Sequence, residues 1–215
     1  MVAPAPTPAY PSQDDLASAS DVLVWIDEEF LRPDPAAFAT AREPFTSIAT
    51  DISRQLDVDR NGIYCIGSGA VGLSTNPSKI EGGNLKLFDE SSDIDIAVIS
   101  WFHFEQAWRD IARSVQPHLE EWPELLSEHL AWQRRRLFDG AILAHKLLPV
   151  LSFGRDWAGA VERVAERIVK AVDRNVDVHI WIYRDYWSLR NYISLGVNKC
   201  RQKITINQGV PDDDA

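Results

Sequence analysis

Residues 64–77 read YCIGSGAVGLSTNP, and the choice between two folds turns on this stretch. Gly67, Gly69 and Gly72 complete a G-x-G-x-x-G behind the apolar run Ile63-Tyr64-Cys65-Ile66, which has the length and composition of a strand. In a dinucleotide-binding fold such glycines end a strand and open a long helix whose first amides hold a pyrophosphate. Here the chain continues Leu73-Ser74-Thr75-Asn76-Pro77, and Pro77 limits any helix to about one turn. The acid expected roughly 20 residues further on, at the end of a second strand, is matched only by Glu90, which falls in a loop ahead of its strand. A dinucleotide-binding oxidoreductase is therefore a minor alternative.

The glycines fit better with the segment downstream of them. Residues 91–99 read SSDIDIAVI. A strand has period two, so Asp93 and Asp95 project from one face while Ile94, Ile96 and Val98 project from the other. Aspartate is disfavoured in strands, and two on one face repel unless a cation lies between them. Oxygen-only ligands suit Mg²⁺ or Mn²⁺, which is the equipment of phosphoryl and nucleotidyl transfer. The Gly67-Ser68 turn then acquires a task. Its amides and the Ser68 hydroxyl can grip phosphates, because glycine admits close approach of the main chain.

A strand, Gly-Ser, a loop and then Asp-hydrophobic-Asp on the next strand resembles the signature of the DNA polymerase β-like nucleotidyltransferase superfamily. The pieces are YCIGSGAVG and SSDIDIAV. The resemblance is sharp over residues 61–100 and diffuse elsewhere. It implies a palm-like sheet, Mg²⁺ (or Mn²⁺) as cofactor, and a nucleoside triphosphate as donor. It makes Asp93 and Asp95 metal ligands, and Gly67, Ser68 and Gly69 the triphosphate turn. It also implies a third carboxylate on a later strand. Asp177 in NVDVHIWIY is the best match, as a shared metal ligand that helps deprotonate the acceptor, since alternation puts it on one face with His179, Trp181 and Tyr183. The rival, Asp185, immediately precedes the last helix, where an N-cap role explains it. Ser68 and Asp93 are separated by 24 residues, more than most members place there. This insertion is expected to form a hairpin or flap with Gly82-Gly83 as its turn, and it carries Lys79 and Lys86 as candidate phosphate contacts.

The rest of the chain sets the surroundings. With 215 residues, 45% hydrophobic and 25% charged, the composition suits one globular domain, with residues 13–205 as that domain between a disordered tail (1–12) and an acidic tail (206–215). Helices are expected at 13–30, 36–56 with a split or kink at Pro44, 102–116, 123–148, 156–171 and 186–203. Strands are expected at 63–66, 93–99 and 176–183. The order predicts an α/β (α+β) fold, a small mixed sheet with helices on one face. The net charge of −10 lies in the ends, since residues 1–60 carry eleven acidic and four basic residues and residues 212–214 are all Asp. That balance argues against duplex DNA as a partner. No apolar run is long enough to span a membrane and the first fifteen residues lack the layout of a secretory signal. Two isolated cysteines, Cys65 and Cys200, read as reduced thiols of a cytoplasmic protein.

The expectation is thus a metal-dependent enzyme that moves a nucleoside monophosphate from an NTP to a hydroxyl acceptor (a small molecule, protein or RNA end). By analogy with stand-alone members of the superfamily, a partner protein in a defence or toxin–antitoxin setting is a further expectation. The competing class is a palm that has lost its chemistry and binds a nucleotide or a partner.

Overall fold

The computed structural model describes residues 10–114, 122–134 and 136–208. The expected tails therefore lie largely outside the described residues, as do the last two residues of the helix expected at 102–116. The chain starts with α1 (Gln13–Ser18), opened by a capping box between Ser12 and Asp15. Next comes α2 (Val22–Trp25), capped by Asp21, which runs into a π-helical turn, Ile26–Phe30. The segment expected as one helix at 36–56 divides into a 3₁₀ turn, Ala36–Phe38, and α3 (Phe45–Leu56). Pro44 stands directly before α3, as its ring requires. Then come β1 (Ile63–Ile66), the one-turn α4 (Ser68–Val71), the two-residue strands β2 (Ile80–Glu81) and β3 (Asn84–Leu85), and β4 (Ile94–Ile99). The expected hairpin is present: β2 pairs with β3 around Gly82 and Gly83, both at positive φ.

After β4 come α5 (Trp101–Ser114) and α6 (Glu124–Arg134). The helix expected to continue to residue 148 stops there. A strand that the periodicity did not reveal, β5 (Ala141–Leu143), takes its place, followed by 3₁₀ turns at Ala144–Lys146 and Leu148–Val150. Three apolar residues carry too little pattern to separate strand from helix. Tertiary pairing decides, because β5 lies antiparallel to β6 (Val178–Tyr183). Gly140, with φ of 70°, makes the turn into β5. The free edge of β5 is closed by the fully buried Gln133. Its Nε2 donates to the Ala141 carbonyl (2.6 Å) and its Oε1 accepts from the Leu143 amide (2.8 Å). The long amphipathic α7 (Gly154–Val172) precedes β6, and α8 (Tyr186–Gln208) ends the described chain.

The fold is mixed α/β with a four-stranded sheet in the order β1-β4-β6-β5. β4 and β6 are parallel, and the other two pairings are antiparallel. One face carries Ile63, Cys65, Ile94, Ile96, Ile180 and Ile182, packed against α3, α5, α6 and α7. The sequence pattern predicted helices on one face only. The structure covers the other face too, with α1, α2, α4 and α8. The reason is local. That face presents Ile66, Ala97 and Tyr183, all buried, and α8 supplies a stripe of Leu189, Ile193, Val197, Cys200 and Ile204 to cover them. Asp93 and Asp95 belong to this second face, so α8 becomes the wall of whatever site they form.

Candidate functional site

The site begins where β1 meets β4. Their antiparallel register pairs Ile66 with Asp95, so the turn after β1 arrives beside the carboxylate. Gly67 makes that turn at φ 67° and ψ −153°, a region open to glycine and costly for any other residue. A Cβ added to Gly67 would stand 2.9 Å from Asp95 Oδ2. Glycine is thus needed both for the backbone angle and for the close approach. Ser68 opens α4 half-buried, and its hydroxyl has no hydrogen-bond partner among the described residues. Gly72, at φ 82°, ends α4 after a single turn. The third glycine therefore stops a helix where a dinucleotide site needs one to continue. Gly69 is buried, and a Cβ added there would stand 3.3 Å from Cys65 Sγ and 3.4 Å from the Ala37 methyl, so it contributes close packing.

The other acids are placed by the parallel register of β4 and β6. Asp95 lies opposite His179, and the Ile94 amide donates to the Asp177 carbonyl at 2.9 Å. Extending the ladder one step puts Asp177 opposite Asp93, with strands about 4.8 Å apart. Asp93 is half-buried and Asp177 exposed, at the open end of the sheet face. Among the described residues, no three His, Cys, Asp or Glu side chains gather into a set that could hold a metal ion. Asp185 caps α8 through the Ser188 amide (2.7 Å) and pairs with Arg184, as its sequence position suggested.

Asp95 is tied down by two donors that lie outside the Gly-Ser and Asp-Ile-Asp motifs. Trp181 Nε1 donates to Asp95 Oδ1 at 3.0 Å, and His179 Nδ1 lies 3.3 Å from the same oxygen. The Asp95 hydrogen bond raises the His179 pKa above its ordinary value against the effect of burial, and the charge of Asp93 adds to it. His179 stacks on His145, with centroids 4.6 Å apart and an interplanar angle of 6°. His145 accepts from the Ile180 amide through Nδ1 (3.3 Å), so its proton sits on Nε2, which is buried with no partner among the described residues. Burial first, and then the neighbouring His179, pull the His145 pKa down to about 4. The pair therefore divides into one ring that readily carries charge beside Asp95 and one that stays neutral beneath it. The sequence signal for His179 and Trp181 was their alternation on the face of Asp177. Nothing in the chain pointed to His145.

A cavity of about 530 Å³ opens on this face, between the sheet and α8. That volume lies in the usual range for a small-molecule site. Gly67, Ser68 and Asp95 line it together with Lys79, Lys199, Arg136 and Trp181. Lys199 lies about 10 Å along α8 from Tyr192, to which Arg136 donates a hydrogen bond, so the lysines and Arg136 mark different ends. The loop after α4 forms a rim. Gly196 of α8 packs so tightly on it that a Cβ there would meet the Thr75 carbonyl at 2.8 Å. Lys203 Nζ donates to the Pro77 carbonyl (2.9 Å) and fixes the rim further along α8. Lys79 thus lines the cavity. Lys86 does not, because its ammonium is held by Ser91 Oγ (2.8 Å) and by Asp89 (3.6 Å). Arg136, Lys199 and Tyr192 were not among the predicted site residues. They come from segments far from the motif, and only folding brings them to it.

No family model, curated protein or solved structure matches the chain. The chemistry of the site therefore rests on the residues themselves. A divalent cation of the Mg²⁺ class is commonly held by one or two carboxylates together with substrate phosphates. Asp93 and Asp95 supply such a pair on donor chemistry, and Asp95 Oδ2, the oxygen that faces Gly67, is not used by the two ring donors. No helix among the described residues is long and apolar enough to cross a membrane.

Proposed function

We propose that the chain is a metal-dependent nucleotidyltransferase of the polymerase β-like type. It would move a nucleoside monophosphate from an NTP to a hydroxyl acceptor. The observation that carries this reading is the packing of the Gly67-Ser68 turn against Asp95 on the floor of a cavity of about 530 Å³. The β1–β4 register sets a glycine-serine turn beside a carboxylate, and both would serve a triphosphate lying over them.

The roles derive from position. The Ser68 hydroxyl and the main chain at Gly67 hold the terminal phosphates, with Lys79 and Lys199 adding positive charge at the same end. Asp93 and Asp95 would hold Mg²⁺ or Mn²⁺. When bound, that ion neutralises the triphosphate and lowers the pKa of the acceptor hydroxyl. Trp181 and His179 fix the rotamer of Asp95. Asp177, exposed opposite Asp93, would take the proton of the acceptor hydroxyl. The acceptor oxygen bonds to the α-phosphorus, the bond to the β-phosphate oxygen breaks, and pyrophosphate leaves with that electron pair.

A second reading has its own observation. Asp95 Oδ1 is shared by two ring donors, and no three metal-binding side chains converge among the described residues. A palm that binds nucleotide without transferring it fits that arrangement. One experiment separates the two. The protein is incubated with Mg²⁺ and each labelled NTP, with Asp93→Ala as the control, and pyrophosphate is measured. Pyrophosphate release lost in the variant supports the enzyme. Mg²⁺-dependent binding without release supports the binding module. If neither is seen, both readings fail.

A further inference from the structure

The end of the cavity remote from Lys79 and Lys199 has a different chemistry. It is walled by Trp181 and Tyr192, which touch at a tilt of 47° with ring centroids 5.6 Å apart, and beyond the Asp95 that Trp181 holds it carries Arg136 and Asp139. The Arg136 guanidinium is stacked on Trp132, with Cζ 3.4 Å from the ring centroid, and is therefore held in orientation. Asp139 comes one turn later, in a 3₁₀ helix, Leu137–Asp139, whose backbone bond from the Asp139 amide to the Arg136 carbonyl (3.0 Å) keeps the two residues together. The Asp139 carboxylate makes no side-chain hydrogen bond or ion pair with the described residues and is half-buried at the cavity wall. Both charged groups act on the Tyr192 hydroxyl. Burial raises its pKa first, a hydrogen bond from Arg136 opposes that, and the charges of Asp95 and Asp139 add to the rise.

Phosphate is better served at the Lys79/Lys199 end, where two ammonium groups adjoin the Gly67-Ser68 turn. The aromatic wall here suits a base laid against it. Among the four common bases only guanine offers two adjacent donors, N1–H and the 2-amino group, next to acceptors at O6 and N7. A carboxylate accepts both donors, and a guanidinium donates to the acceptors. Adenine and cytosine would each turn a ring-nitrogen acceptor toward the carboxylate. Uracil has a single donor between two carbonyls.

We propose that this end of the cavity is a base subsite selective for guanine, with Asp139 on the N1–H/2-amino edge, Arg136 on O6/N7, and the base laid against the aromatic wall formed by Trp181 and Tyr192. The proposal rests on the nucleotidyltransferase reading for the placement of the phosphates and deepens it by naming the substrate class.

The test is equilibrium binding of GTP, ATP, CTP, UTP and xanthosine triphosphate to the full chain in Mg²⁺, by calorimetry, for the wild type and Asp139→Asn. The wild type is expected to bind GTP at least about fivefold more tightly than ATP, the lower end of what a bidentate base contact delivers. Asp139→Asn is expected to lose that preference and to favour xanthosine triphosphate, whose 2-carbonyl accepts from the new amide. A thermal melt of the variant checks that it folds. Equal binding of GTP and ATP by the wild type overturns guanine selection and leaves nucleotide binding standing. A GTP preference unchanged in Asp139→Asn overturns the assignment of Asp139. If no triphosphate binds, the nucleotidyltransferase reading falls, and the base subsite with it.

Discussion

Gly67 and Asp95 approach so closely that a single methyl group on Gly67 would stand 2.9 Å from Asp95 Oδ2. The contact joins the turn after β1 to the carboxylate of β4, and it is set by the register that pairs Ile66 with Asp95. It also predicts the effect of substitution. Gly67→Ala combines backbone strain of about 1–3 kcal/mol with a clash against a side chain held by two ring donors. Gly82 is a natural control, with φ of 57° and nothing within 4 Å of an added Cβ. Gly82→Ala should lose only the left-handed backbone term, about 1 kcal/mol. Urea denaturation of both variants is expected to show the larger loss at Gly67, with triphosphate binding lost in that variant alone.

The lysines divide by location. Lys79 and Lys199 line the cavity, while Lys86 is held by Ser91 and Asp89 outside it. Lys79→Ala and Lys199→Ala should each weaken triphosphate binding by up to about tenfold, the value of a charge-assisted contact. They should leave nucleoside binding nearly unchanged. Lys86→Ala should do neither. Titration with a nucleoside and its triphosphate reads out both effects, and a Lys86 effect equal to that of Lys199 would count against the cavity as the phosphate site.

Gln133 is fully buried and serves as the neighbour that edge strand β5 lacks. Gln133→Leu leaves the Ala141 carbonyl and the Leu143 amide buried and unpaired. Each such group costs about 1–3 kcal/mol, so a loss of about 2–6 kcal/mol is expected in urea denaturation. Because β5 leads out of the Arg136–Asp139 turn, the same variant should also weaken binding at that end of the cavity.

His145 gives the stability a pH dependence of definite sign. Its folded pKa is depressed to about 4 from the ordinary 6.5, mainly by burial. The unfolded chain therefore takes up a proton first as pH falls. The contribution of the neutral ring is whole above pH 6.5, declines from 6.5 toward 4, and levels off below that. His179 has the opposite sign, since its pKa is raised and the stability it adds is present at low pH and lost as pH rises through its folded value. In His145→Gln the loss of stability between pH 6.5 and 4 should be shallower than in the wild type. Urea midpoints across that range measure it, and parallel slopes would refute the assignment.

Much of the site was legible in the chain because alternation along a strand is local. A period of two puts Asp93 and Asp95 on one face of their strand, and His179 and Trp181 on one face of theirs, whatever surrounds them. Turn chemistry is local as well, which is why Gly67-Ser68, the Gly82-Gly83 hairpin and the cap at Asp185 could be read directly. The limits of that reading are equally physical. Ala141–Leu143 is too short to carry a period, and only its pairing with β6 makes it a strand.

What the residues alone determined is therefore which side chains share a face and where the backbone must bend. What only the tertiary structure decided is which of them meet. The β4–β6 register places His179, and not Asp177, opposite Asp95, and a slip of two residues would have exchanged them with every side chain still on its own face. The second helical layer was decided the same way. Burial of Tyr183 and Ala97 required a cover, and α8 in supplying it brought Tyr192 and Lys199 over the carboxylates. Register and layer packing depend on contacts between segments distant in the chain, and no local pattern encodes them.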